Sequence, residues 1–220
     1  MPRISDTRKA EVRNQLIDAA VEVLLAEGPA GVTSRRILEQ AGLSAGALYH
    51  YFASLDELYE AVAVRFTTLG DPLFAVEAGQ PAEDGAEVTL ADVHVAVMQD
   101  MFGHGDQVLL GQLRSIADTN GGVRRALQHY DQMMVERGSA LNRASQASGL
   151  FRDDADAEAL VEVIGTFFEG FNVKSRATGF ATSRERVLRL FLEMLAERIL
   201  DDHRPEAADL RRRIEEISEP

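Results

Sequence analysis

The stretch that most constrains this chain is Thr33 to Leu58, TSRRILEQAGLSAGALYHYFASLDEL. It predicts two short helices meeting at a glycine turn, then the start of a third. Thr33 is placed to N-cap the first helix, its hydroxyl accepting from a first-turn amide that has no partner inside the helix. Ile37 and Leu38 face inward, and Ala41 closes the helix with a small side chain. Gly42 supplies the positive φ that stops a helix sharply, and Leu43 plugs the corner. Ser44 is expected to cap a second helix, from Ala45 to about Phe52, with Leu48 as its inward residue. Its outward residues are small at the start (Ala45, Gly46, Ala47) and aromatic or polar beyond (Tyr49, His50, Tyr51). A helix start lined by small residues can sit deep in a major groove, where its amides and positive dipole end meet phosphate oxygens.

The pattern T-x-x-x-I-x-x-x-A-G-L-S-x-G-x-L-Y-x-Y-F followed by L-Y is carried here by Thr33, Ile37, Ala41, Gly42, Leu43, Ser44, Gly46, Leu48, Tyr49, Tyr51, Phe52, Leu58 and Tyr59. It resembles the DNA-binding head of the TetR family of transcription regulators, over roughly residues 8 to 62. The resemblance implies that Ser34, Arg35, Ser44 and Tyr49 anchor phosphates. It also implies that Arg35, Ala45, Ala47, His50 and Tyr51 approach base edges or backbone, with Gly46 among them. An arginine can read guanine bidentately and an alanine can pack on a thymine methyl. Two alanines suggest fewer polar base contacts and a larger share of shape readout. One position departs from the family: Leu55 stands where members often carry a phosphate-touching Lys.

The net charge of −13 is unusual for a DNA binder. Residues 1–55 hold six bases (Arg3, Arg8, Lys9, Arg13, Arg35, Arg36) and six acids (Asp6, Glu11, Asp18, Glu22, Glu27, Glu39), so the whole excess lies behind the head. An acidic body disfavours non-specific DNA and RNA binding. Cysteine is absent, which removes disulfides and thiolate zinc sites and fits a reducing cytoplasm. No apolar run approaches a membrane span and no signal peptide is recognisable.

Apolar residues Val12, Leu16, Ala20, Val23 and Leu24 recur at helical spacing from Asp6 to Glu27, and Gly28-Pro29 stops that helix. Ser54-Leu55-Asp56-Glu57 reads as a capping box opening the helix after the second short one. Residues 71–88 read as a loop. Helices are then expected over about 89–102, 106–118, 123–148, 156–178 and 183–200, with a charged helix or tail over 205–220. The helices over 156–178 and 183–200 are apolar on two sides, so a second copy of the chain is expected to cover one of them. The fold class is all-α. An N-terminal three-helix helix-turn-helix head (1–54) precedes a larger helical ligand-binding and dimerisation body (55–204) and the 205–220 segment.

The five histidines show no metal-ligand spacing, and no P-loop, G-x-S-x-G or G-x-G-x-x-G occurs, so neither a cofactor nor an enzymatic activity is expected. Family members bind effectors within the helical body. The candidate ligand residues here are His94, Met98, Phe102, Gln112, His129, Tyr130, Met133, Met134, Phe168 and Asn172. Apolar walls with sparse polar groups, and no Lys or Arg cluster among them, point to a largely apolar effector. The resemblance therefore implies a cytoplasmic, homodimeric repressor that binds a palindromic double-stranded operator and releases it on binding that effector. The alternative is a helical small-molecule-binding or enzymatic protein whose head no longer binds DNA.

Overall fold

A computed structural model describes residues 6–69, 79–80, 87–101, 104–201 and 203–217. Among them are nine α-helices: α1 (Asp6–Glu27), α2 (Ser34–Ala41), α3 (Leu55–Leu69), α4 (Leu90–Met101), α5 (His104–Ala117), α6 (Gly121–Ala147), α7 (Ala157–Ala177), α8 (Arg184–Ile199) and α9 (Pro205–Ile217). Extended pairing among the described residues includes an isolated bridge between Phe151 and Leu200. The loop expected over 71–88 lies mostly outside the described residues.

Local chemistry sets most helix ends. Thr33 Oγ1 accepts from the Arg36 amide at 3.2 Å. Gly42, at φ 64°, ends α2 while the Gly42 and Leu43 amides return to Glu39 and Leu38, a Schellman closure. The capping box at α3 forms with one change: Ser54 Oγ accepts from the Glu57 amide at 3.2 Å, but the Glu57 carboxylate reaches back to the amide of Ala53. Asp156 accepts from the Glu158 and Ala159 amides to start α7, and Ser183 accepts from the Arg186 amide to start α8.

The chain forms two compact units, Met1–Gly70 with His104–Tyr130, and Asp71–Gly103 with Asp131–Pro220. In the first, α1 packs against α2, α3 and α5. Its core holds Leu16, Ile17, Leu24, Ile37, Leu48, Phe52, Leu58, Val62 and Leu113, all at or near zero exposure. Asn120 ties this unit together. Its Oδ1 accepts from the Gly122 and Val123 amides at 3.0 and 2.9 Å, capping α6, and its Nδ2 donates to the Asp56 carbonyl of α3 at 3.1 Å.

The second unit is built around Met98, Met101, Phe151, Phe168, Phe171, Leu192, Leu195 and Ile199. Phe167 stacks on Phe191 with centroids 3.5 Å apart and planes 5° from parallel. The 205–220 segment contains α9, whose Ala207, Leu210 and Ile214 are buried in the same core. Arg213 of α9 pairs with Asp92 of α4 at 2.8 Å. At Gly138 of α6 a Cβ would lie 2.7 Å from Val161 Cγ2, so glycine there permits the close approach of α6 and α7.

Replacing Asn120 by Ala removes one helix cap and leaves the Asp56 carbonyl without its donor. Chemical denaturation should show a loss of about 1–2 kcal/mol. Asn120→Asp retains the capping oxygen and should recover part of it.

Candidate nucleic-acid interface

The segment between α2 and α3 is shorter of helix than its sequence predicts. The expected helix from Ala45 to Phe52 is replaced by turns and one 3₁₀ turn, Leu48–His50. Gly46 is the reason: it sits at φ 88°, a left-handed conformation that breaks a right-handed helix and that side-chain-bearing residues rarely adopt. The amides of Ala47, His50 and Tyr51 bond three residues back, to Ser44, Ala47 and Leu48. Ser44 therefore opens a turn, and the groove-entering α-helix start expected at Ala45 is corrected to a turn surface.

Two apolar anchors hold this surface. Leu48 is 0% exposed and Phe52 1%. Arg13 of α1 lies over the Phe52 ring, 5.0 Å from its centroid. With those side chains inward, the residues between and before them face out. Tyr49 is 58% exposed; Ser44, Ala45, Gly46 and His50 are exposed, and Ala47 and Tyr51 half-buried.

The structure joins two of the candidate DNA-binding residues directly: Ser34 Oγ and the Tyr49 hydroxyl are 2.9 Å apart. Arg35, the next residue on α2, has a largely exposed side chain. Ser34, Arg35 and Tyr49 thus form one face, with the 44–47 turn preceding Tyr49 in the chain. Sequence reasoning missed that acids engage the arginines of this face. Arg35 Nε donates to Glu39 Oε1 at 2.8 Å, Arg36 Nη1 to Glu39 Oε2 at 3.1 Å, and Arg36 Nε to Glu27 Oε1 at 3.0 Å. Hydrogen bonds from Arg35, then Arg36, hold the Glu39 carboxyl below the usual carboxylate range. The four-residue spacing of Arg35 and Glu39 was a legible signal; the Glu27–Arg36 pair spans a turn and was not.

The candidate ligand residues are distributed over both units. Gln112, His129 and Tyr130 belong to the first unit; His94, Met98, Met133, Met134, Phe168 and Asn172 belong to the second. Phe102 lies outside the described residues. His129 is exposed, which corrects the inward placement expected for it: α6 turns that position to solvent while Tyr130 beside it is buried against Phe66, ring centroids 5.5 Å apart. In the second unit Met98 and Phe168 share the buried core, and Met134 packs against it. The Asn172 Nδ2 atom is buried with no hydrogen-bond partner among the described residues. His94 is buried, bonded to Ser145 Oγ at 2.8 Å and tilted against the Phe151 ring at 4.6 Å. Burial pushes its pKa down to about 4.

Among the described residues no group of three or more His, Cys, Asp or Glu is placed to hold a metal ion, and no helix is long and apolar enough to cross a membrane.

The family model for bacterial regulatory proteins, tetR family, matches residues 16–62. The chain is similar to the HTH-type transcriptional repressor AcnR of Corynebacterium diphtheriae, 27% identical over 201 residues, covering 88% of this chain and 96% of that one. It is also similar to the HTH-type transcriptional regulator PksA of Bacillus subtilis, 45% identical over 58 residues, covering 26% of this chain and 27% of that one. Among solved structures, the regulatory protein TetR from Rhodobacter sphaeroides superposes with a TM-score of 0.67 at 24% identity, covering 86% of this chain and 99% of that one. That last likeness carries the fold.

A buried neutral His94 makes stability depend on pH. The unfolded chain takes up a proton near pH 6.5, while folded His94 resists it down to about 4. The contribution is therefore complete above pH 6.5 and is lost as pH falls toward 4, by up to about 3 kcal/mol. Urea unfolding across that window should show this slope in the wild-type protein and a flatter one in His94→Gln.

Proposed function

We propose that this member of the TetR family of transcription regulators is a homodimeric repressor, working in the cytoplasm, whose Ser34–Arg35–Tyr49 face and 44–51 turn grip a palindromic operator. The observation that carries this reading is the Ser34–Tyr49 contact over the buried Leu48 and Phe52. Two hydroxyls and a guanidinium on one outward surface support the reading that this face grips phosphates. Backbone contacts of this kind fix orientation, and base contacts from the same face supply sequence preference. The repressors among its relatives support the direction of regulation.

The homodimer reading rests on α7 and α8. Ala159, Val163, Thr166, Gly170, Val173 and Ala177 follow one another at steps of four and three on α7, and all are exposed. On α8, Leu190 and Met194 are more than half exposed. An apolar groove of about 310 Å³ runs between the two helices, lined by Leu160, Val163, Phe191, Met194 and Leu195 among others. Large exposed apolar side chains beside a small-residue stripe suit close helix packing against a second copy. Two heads related by that two-fold would address two half-sites of a palindrome.

The effector reading rests on the second unit's interior. Met98, Met101, Phe168 and Phe171 form its apolar wall, and Asn172 Nδ2, which has no partner among the described residues, offers a polar contact. A small, largely apolar molecule that favours a head geometry unsuited to the operator would release DNA.

Selection from a random duplex pool should return a palindrome bound in preference to mixed-sequence DNA; no enrichment at moderate salt would defeat the reading. Against that palindrome, Arg35→Ala should weaken binding and lower the salt slope by about one unit. Tyr49→Phe, which loses the hydroxyl but no charge, should weaken binding with the slope unchanged. Leu190→Glu with Met194→Glu should scatter light as a monomer at micromolar concentration and lose operator binding; a variant that stays dimeric would rule out the α7–α8 face as the interface.

A further inference from the structure

Glu39 occupies a place on the head where a surface meeting DNA would ordinarily carry cations alone. It lies one helical turn beyond Arg35, on the same side of α2. Its two oxygens serve two different arginines, Oε1 taking Arg35 Nε at 2.8 Å and Oε2 taking Arg36 Nη1 at 3.1 Å. Arg36 is held in turn by Glu27 at the end of α1. Gly31 makes room for that contact: a Cβ there would lie 2.4 Å from Glu27 Cβ and 2.9 Å from its Oε2. The result is a chain of alternating charge, Glu27–Arg36–Glu39–Arg35, that starts at the end of α1 and finishes on the exposed guanidinium of Arg35.

The atom used at the end of that chain matters. Glu39 binds Arg35 through Nε, the inner edge of the guanidinium fork. With Nε engaged by Glu39, the outer pair, Nη1 and Nη2, is the edge left to donate side by side to two acceptors in one plane. In the major groove only guanine presents two such acceptors, O6 and N7, on one base edge.

We propose that Glu39 is a positioning residue for sequence readout, holding Arg35 by Nε so that its Nη pair is presented to a guanine edge. The inference rests on the reading of the α2 face as the operator-binding surface. A fixed planar fork loses less freedom on binding a base than a mobile one. The carboxylate also repels phosphates on every sequence, so it lowers random binding while favouring the one contact it orients. Orientation widens the gap between operator and random DNA, which is the quantity that decides occupancy, while the repulsion weakens binding to both. An exposed ion pair is weak taken alone, so the effect of Glu39 lies in geometry and in the sign of its charge.

The test uses the full-length protein, the palindrome recovered by selection, a set of its single-base-pair variants, and a mixed-sequence duplex of the same length. Wild type should show one position in each half-site where guanine is preferred by about tenfold or more, and Arg35→Ala should abolish that preference. Glu39→Ala should cut the preference several-fold while the mixed-sequence duplex binds about two- to fivefold tighter. Glu39→Gln, whose amide oxygen can still accept from Nε, should recover much of the guanine preference but keep the tighter random binding. Thermal melting of each variant confirms an intact head, since a role in folding alone would lower all affinities together. If Glu39→Ala keeps the full guanine preference, or Arg35→Ala leaves every base preference in place, Glu39 does not position a base-reading arginine. If the wild-type protein binds no duplex at all, the failure belongs to the operator reading.

Discussion

Leu48 and Phe52 carry an outward surface that has little regular structure of its own. A single 3₁₀ turn and a few three-residue hydrogen bonds cannot hold six consecutive residues in place against solvent. Two fully buried side chains can, because exposing either costs on the order of 2–3 kcal/mol of apolar burial. With both buried, and Arg13 of α1 covering the Phe52 ring, Tyr49 and His50 have no inward option. The candidate interface is thus a consequence of packing beneath it.

The charges of the head follow the same logic. A neutral head on an acidic chain has few cations to spend on phosphates. Here Arg36 is committed internally, bridging Glu27 and Glu39. On the proposed operator-binding reading, affinity would lean less on summed positive charge, the term that carries non-specific binding.

The second unit shows how a mostly apolar interior tolerates polar groups. His94 and Ser145 satisfy one another, and Ser145 also receives the Leu150 and Phe151 amides through its carbonyl. The turn after α6 is closed onto the end of α8 by the Arg152 amide on the Ile199 carbonyl and the Asp201 amide on the Leu150 carbonyl. Helices α8 and α9 therefore share a core with α4, and the charged C-terminal segment contributes apolar residues to it. Asn172 carries a buried amide nitrogen with no hydrogen-bond partner among the described residues, a costly arrangement unless water or a ligand supplies one.

The sequence by itself determined whatever acts within one or two turns. Helical periodicity located α1 to its ends, and the expected caps at Thr33 and Ser54 formed because a side-chain oxygen needs only an amide three residues ahead. The helix-turn-helix pattern and the family it resembles were legible for the same reason, being a matter of residues at fixed short spacing. Tertiary structure decided what depends on distant partners. Gly46 could equally have continued a helix, and its φ of 88°, which ends it, is not announced by any local spacing. His129 has the same neighbours in sequence as an inward residue, yet the packing of Tyr130 and Leu127 set the helix phase that exposes it. The Glu27–Arg36, Asn120–Asp56 and His94–Ser145 contacts join residues separated by a turn or by most of a domain. No spacing rule reaches that far, because chain entropy lets such pairs meet only after the elements between them have folded.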